Sequence, residues 1–93
     1  MQRNNYKFNV SERFKKEFRK LDKYTQKMLR AWINKNVVDC ENPYAHGKGL
    51  VGDKRGLWRY RVGDYRIICL IREDEMIILA LSIGHRKEIY QNF

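Results

Sequence analysis

The sequence has little of what builds anything other than a plain packed core. It contains one proline and two cysteines in 93 residues. Cys40 and Cys69 are far apart, neither belongs to a CxxC pair, and two cysteines do not make a disulfide framework. No leader-like N-terminal segment is read, so a reducing cytoplasm is the expected setting. Long apolar runs are also missing. The most hydrophobic stretch, residues 67–83, is broken by Arg72, Glu73, Asp74 and Glu75. Neither half approaches the ~20 apolar residues that a membrane span needs, so no membrane association is expected. No His/Cys/Asp/Glu grouping has metal-ligand spacing, and neither a metal nor another cofactor is expected. Repeats and low-complexity segments are absent.

The scarce charge is the negative one. Eleven Asp and Glu stand against twenty Lys and Arg, a formal net charge of +9. A chain with this balance is attracted to polyanions at long range. Three uses of the charge remain open: binding nucleic acid, docking an acidic protein partner, or simple solubility. The length suits one domain, residues 1–93, that buries roughly 60–65% of its unfolded surface. Its core is therefore thin.

The apolar residues that are present fall in clear periods. Lys7 to Val10 reads as a short strand. Ser11 offers a helix N-cap, and Phe14, Phe18 and Leu21 follow as one stripe. Asp22 caps a second helix with Met28, Leu29, Trp32 and Ile33 on its apolar side. From Asp39 to Gly56 the spacing dissolves around Pro43 and several glycines, which predicts a loop. Three strands follow: Leu57–Val62, Tyr65–Arg72 and Met76–Ile83. Gly63-Asp64 and Glu73–Glu75 form the turns, and a tail runs from Gly84. The expected architecture is α+β in the order β-α-α-β-β-β. A helical hairpin packs on a mainly antiparallel four-stranded sheet.

The Gly63-Asp64 turn sets a register that can be worked out residue by residue. Val62 faces Tyr65, Arg61 faces Arg66, Tyr60 faces Ile67, and Arg59 faces Ile68. Side chains alternate across a strand, so Arg59, Arg61 and Arg66 share one face while Trp58, Tyr60, Val62, Tyr65 and Ile67 share the other. Opposed like charges destabilise a sheet. A bound anion would neutralise them, and guanidinium forks suit phosphate. Solvation, or pairing with Glu73, Asp74 or an acidic partner, would also account for them. Beyond the last strand, Gly84-His85-Arg86-Lys87-Glu88-Ile89-Tyr90 lies where Arg86 and Tyr90 can reach the same phosphate. By themselves, Tyr90 reads as a packing aromatic and His85 as a structural residue.

Taken in order, Leu50-Val51-Gly52, Leu57 to Ile68, and Ile83 to Tyr90 resemble the RelE/ParE superfamily of bacterial toxins, over almost the whole chain. The resemblance to the RelE branch implies a RelE-like fold and a type II toxin–antitoxin toxin. Such a toxin acts as a metal-independent endoribonuclease that cleaves mRNA in the A site of the 70S ribosome. It implies a catalytic set of Arg59, Arg61, Arg66, Arg86, Tyr90 and His85, with Lys48, Lys54, Arg55 and Lys87 as RNA-binding charge. The family's lysines on the second long strand are Arg59 and Arg61 here. Lys48 stands nearest to a glutamate that some relatives carry. Arginine stays protonated and is a poor base, so the base is left among Tyr90, His85 and Lys48. The resemblance also implies a cognate antitoxin, with promoter DNA bound only through the antitoxin complex. Two alternatives remain: a ParE-type DNA gyrase inhibitor, and a non-catalytic ribosome- or RNA-binding module.

Overall fold

A computed structural model describes residues 5–90. Its elements are β1 (Lys7–Val10), α1 (Glu12–Arg19), α2 (Lys23–Asn36), β2 (Lys48–Gly49), a 3₁₀ turn (Gly52–Lys54), β3 (Trp58–Val62), β4 (Tyr65–Arg72) and β5 (Ile77–His85). The strands form one sheet in the order β1-β5-β4-β3-β2. β1 runs parallel to β5, and the other neighbours are antiparallel.

Both helix starts follow from their caps. The Ser11 hydroxyl accepts from the Phe14 N–H at 3.0 Å, and an Asp22 carboxylate oxygen accepts from the Thr25 N–H at 3.2 Å. Each satisfies a backbone donor that the first helical turn cannot. The hairpin is stitched by Gln26, whose side-chain amide donates to the carbonyls of Phe18 (3.1 Å) and Leu21 (2.9 Å). The helices place Phe14, Leu29 and Ile33 against Tyr60, Val62, Ile67, Cys69, Ile78, Ala80 and Ile83 of the sheet. Burying each large apolar side chain contributes about 1.5–3 kcal/mol. Cys69 lies in this core as a fully buried free thiol, and Cys40 is partly exposed and also free.

The sheet differs from expectation in three respects. It has five strands rather than four, because Lys48 and Gly49, expected in a loop, pair with Arg59 and Trp58. The last strand begins one residue later than expected and runs on to His85, where it still pairs with Tyr65. β3 starts at Trp58 rather than Leu57.

The added strand depends on aromatic packing and one glycine. The Trp58 indole N–H donates to the His46 carbonyl at 2.8 Å, and the Tyr60 hydroxyl donates to the Pro43 carbonyl at 2.6 Å. His46 packs edge-on against Trp32, and Tyr44 against Trp58. Gly47 adopts φ +83°, and a Cβ there would lie 2.1 Å from the Arg59 carbonyl oxygen. Only a residue without Cβ permits that approach.

Opposite the end of β1, α1 closes the edge of β5. β1 pairing ends at Ala80. Beyond it, Glu17 accepts from the Ser82 hydroxyl (2.7 Å) and from the Ile83 N–H (3.0 Å), while Arg13 donates to its other oxygen at 3.2 Å. A strand edge is thereby covered by a side chain. A register shift between Ile68 and Cys69 accompanies this change of partner: Ile68 pairs with Ser82 and Cys69 with Ala80.

Candidate functional site: a cationic sheet face

The expected β3–β4 register is observed at every position, including Arg61 opposite Arg66. Gly63 takes φ +59° in the connecting turn. The short β2 adds a second like-charged pair, Lys48 opposite Arg59. Because side chains two apart share a face, Lys48, Arg59, Arg61 and Arg66 form two adjacent cation pairs on the side of the sheet away from Tyr60 and Ile67. Each opposed pair costs stability on the order of 0.2–1 kcal/mol.

Arg66 is the innermost of the group, 9% exposed. One guanidinium nitrogen donates to the carbonyls of Gly63 (2.9 Å) and Tyr65 (3.0 Å). Burial first, then the charges of Arg61, Arg59 and Arg86, hold this guanidinium below its usual range, opposed by Tyr90. The same five residues are therefore electrostatic neighbours. Among the described residues, no carboxylate forms a salt bridge with Arg59, Arg61 or Arg66. Arg59 also carries an enclosed Nε without a hydrogen-bond partner. Such a donor ordinarily costs ~1–3 kcal/mol, so local stability has been given up here.

The tail brings the remaining groups. β5 ends opposite the turn, where the Arg86 N–H donates to the Asp64 carbonyl at 2.7 Å and the Arg86 guanidinium lies 3.8 Å from the Asp64 carboxylate. The His85 carbonyl then accepts from the N–H groups of Glu88 (2.9 Å) and Ile89 (3.0 Å), which reverses the chain. Ile89, 3% exposed, settles against Gly84, where a Cβ would come within 3.2 Å of its Cδ1. Gly84 is the strand partner of Arg66. This delivers Tyr90 to the cluster: Arg59 donates to the Tyr90 hydroxyl at 3.1 Å.

Not every candidate arrives. His85 pairs with Tyr65, packs edge-on to its ring at 5.6 Å, and accepts the Lys87 N–H on Nδ1. It lines a groove of about 440 Å³ beside Arg13 and Glu17, a groove that includes none of Arg59, Arg61, Arg66 and Tyr90. Lys48 and Lys54 join Arg59 and Tyr90 around a second depression, of about 450 Å³. Arg55 and Lys87 are exposed and line neither. Gly84, Ile89 and Asp64 position the site without having been singled out. Among the described residues no group of three His, Cys, Asp or Glu could hold a metal ion, and no helix is long and apolar enough to cross a membrane.

Known proteins carry the same frame. A chain of the RelBE2 toxin–antitoxin complex of Mycobacterium tuberculosis superposes with TM-score 0.73 at 23% identity, covering 88% of this chain and 92% of that one. The isolated Escherichia coli RelE toxin gives 0.68 at 22%, covering 94% and 93%. The archaeal RelE–RelB complex of Pyrococcus horikoshii gives 0.64 at 20%, covering 88% and 96%. At these identities the likeness establishes the RelE fold. Among curated proteins no sequence match is found. Residues 8–90 match the family described as the ParE toxin of type II toxin–antitoxin systems, parDE. The chain therefore belongs to that toxin family, within the RelE/ParE superfamily.

Proposed function

We propose that this toxin is a ribosome-dependent endoribonuclease that cleaves mRNA in the ribosomal A site. The observation that carries the reading is the two opposed cation pairs, Lys48–Arg59 and Arg61–Arg66, with Tyr90 held against Arg59. Such a face is costly for the free protein and suited to a bound phosphate.

In the proposed reaction the RNA 2′-oxygen attacks the adjacent phosphorus. The P–O2′ bond forms and the P–O5′ bond breaks, leaving a 2′,3′-cyclic phosphate and a 5′-hydroxyl. The 2′-OH proton passes to a base, and the leaving oxygen takes a proton from an acid. Arg61 and Arg66 hold the phosphate and the charge that develops on it. Arg86, tethered at the Asp64 turn, serves the leaving oxygen. Tyr90 is the favoured group at the 2′-OH, since His85 packs against Tyr65 instead. Lys48 remains the second candidate for the base. Arg59 orients Tyr90, and Lys54, Arg55 and Lys87 add charge along the RNA path. The ribosome supplies the messenger in register. A cognate antitoxin, acidic where it meets this face, holds the toxin inactive in the cytoplasm, and the pair binds promoter DNA.

Primer extension on a messenger held in purified ribosomes tests this. Cuts inside the A-site codon, only with ribosomes present, are expected. Arg66→Ala should lower the rate by ~10²–10³ with an unchanged circular dichroism spectrum. A well-folded Arg66→Ala protein that still cuts refutes the assignment. The family match to ParE toxins favours a second reading, inhibition of DNA gyrase. Loss of supercoiling activity in a purified gyrase assay, without mRNA cleavage, would establish it. Tight ribosome binding without either activity would leave a non-catalytic module.

A further inference from the structure

The depression beside the arginine cluster has a composition that the phosphate chemistry does not require. It measures about 450 Å³, within the usual range for small-ligand sites. Its apolar lining is Leu50 and Val51. Val51 is 85% exposed, so a branched apolar side chain is presented to solvent just before a glycine, with no part in the core. Tyr90, also exposed, supplies an aromatic face. The charged side chains are Lys48, Lys54 and Arg59, all hydrogen-bond donors, and no carboxylate lines the space. Arg59 and Tyr90 belong both to this depression and to the phosphate cluster.

We propose that this depression is a base-selective subsite. It receives the nucleobase next to the phosphate held by Arg61 and Arg66, and prefers a base whose edge presents carbonyl acceptors. A flat heterocycle matches an apolar and aromatic lining, since stacking accepts any base. The ring of donors then discriminates. Guanine offers O6 and N7, and uracil offers its carbonyl oxygens. Adenine and cytosine bring an exocyclic amine to an edge where cations already stand. The subsite therefore favours guanine and uracil over adenine and cytosine. The inference rests on reading the arginine cluster as an RNA phosphate site.

Methyl-resolved NMR of the full chain, titrated with the four ribonucleoside 3′-monophosphates and with inorganic phosphate, tests it. The 3′-GMP and 3′-UMP titrations should move the Leu50 and Val51 methyl signals at concentrations about 5- to 100-fold below those of 3′-AMP and 3′-CMP. Inorganic phosphate should move the Arg61 and Arg66 Nε–H signals and leave the two methyls in place. Val51→Ser, at an exposed position, should weaken all four nucleotides alike, whereas Lys54→Ala, which removes one donor of the ring, should narrow the difference between bases. Methyls unmoved by any nucleotide overturn the subsite, leaving an apolar peptide as the occupant to seek. Equal response to all four bases overturns the selectivity. If 3′-GMP and 3′-UMP move the methyls while phosphate leaves both arginines unmoved, the subsite stands and the phosphate reading falls.

Discussion

At Arg66 and Arg61 the competition between stability and function can be measured directly. The two face each other across β3 and β4, and burial together with neighbouring cations disfavours the charge on Arg66. Replacing Arg61 by Gln removes one charge from an exposed position and keeps a hydrogen-bonding side chain. Arg61→Gln is expected to raise the unfolding free energy by about 0.2–1 kcal/mol while impairing cleavage, and thermal unfolding beside the primer-extension assay checks both signs. Tyr60 gives a second residue-level expectation. Its ring is fully buried, and desolvation, followed by the thiols of Cys69 and Cys40, pushes its hydroxyl far above the ordinary tyrosine value of 10.0. The unfolded chain ionises this hydroxyl near pH 10, whereas the folded chain resists. The contribution is thus complete below pH 10 and is lost as pH rises beyond it. Tyr60→Phe should flatten the alkaline loss of stability. It should also cost about 0.5–1.5 kcal/mol at neutral pH through the hydrogen bond to Pro43. Equal alkaline slopes for the two proteins in urea titrations would contradict it.

At the level of elements, β2 is the weakest piece and among the most consequential. Two residues long, it sets Lys48 opposite Arg59 and forms one wall of the depression. Its attachment depends on Gly47, whose positive φ and contact with the Arg59 carbonyl exclude a side chain. Gly47→Ala is expected to release the segment, costing about 1–3 kcal/mol and raising KM more than it lowers kcat. The Lys48 and Gly49 amides should lose hydrogen-exchange protection while the β4–β5 ladder keeps its own. Uniform loss of protection across the sheet would mean instead that Gly47 supports the whole fold. The edge of β5 shows another economy. Glu17 on α1 satisfies the Ser82 hydroxyl and the Ile83 N–H where β1 has ended, so a helix side chain continues the work of a strand.

Taken whole, the molecule is a polycation, with cations on the outer faces of the helices and two opposed cation pairs on the open face of the sheet. The helices cover one face, and the opposite face carries the two cation pairs. Association with ribosomes should then be steeply salt-dependent. On a logarithmic plot, the affinity should fall with a slope set by the number of phosphates contacted, about 0.7–0.9 per contact. Removing Lys87, which is exposed and lines neither depression, should reduce that slope by about one contact without moving the site of cleavage. An affinity independent of salt between 50 and 200 mM, a range on the order of that over which such contacts lose strength, would rule out a phosphate-led encounter.

Local chemistry already dictates much of this protein. The alternation from Leu57 to Arg72 and the glycine turn determine the β3–β4 register, because a two-residue turn leaves one pairing and a period of two leaves one choice of face. Ser11 and Asp22 start the helices through contacts only three residues away. Local pairing and alternation alone therefore place Arg59, Arg61 and Arg66 on one face. Long-range packing decides the rest. Lys48 reaches Arg59 only because Trp32, Trp58 and Tyr60 hold the preceding loop. Tyr90 reaches Arg59 only because Ile89 fits over Gly84, and His85 turns to Tyr65 because β5 keeps its register for two residues past Ile83. Contacts that close loops of ten to thirty residues depend on which surfaces fit once the sheet exists, and no periodicity along the chain encodes that fit.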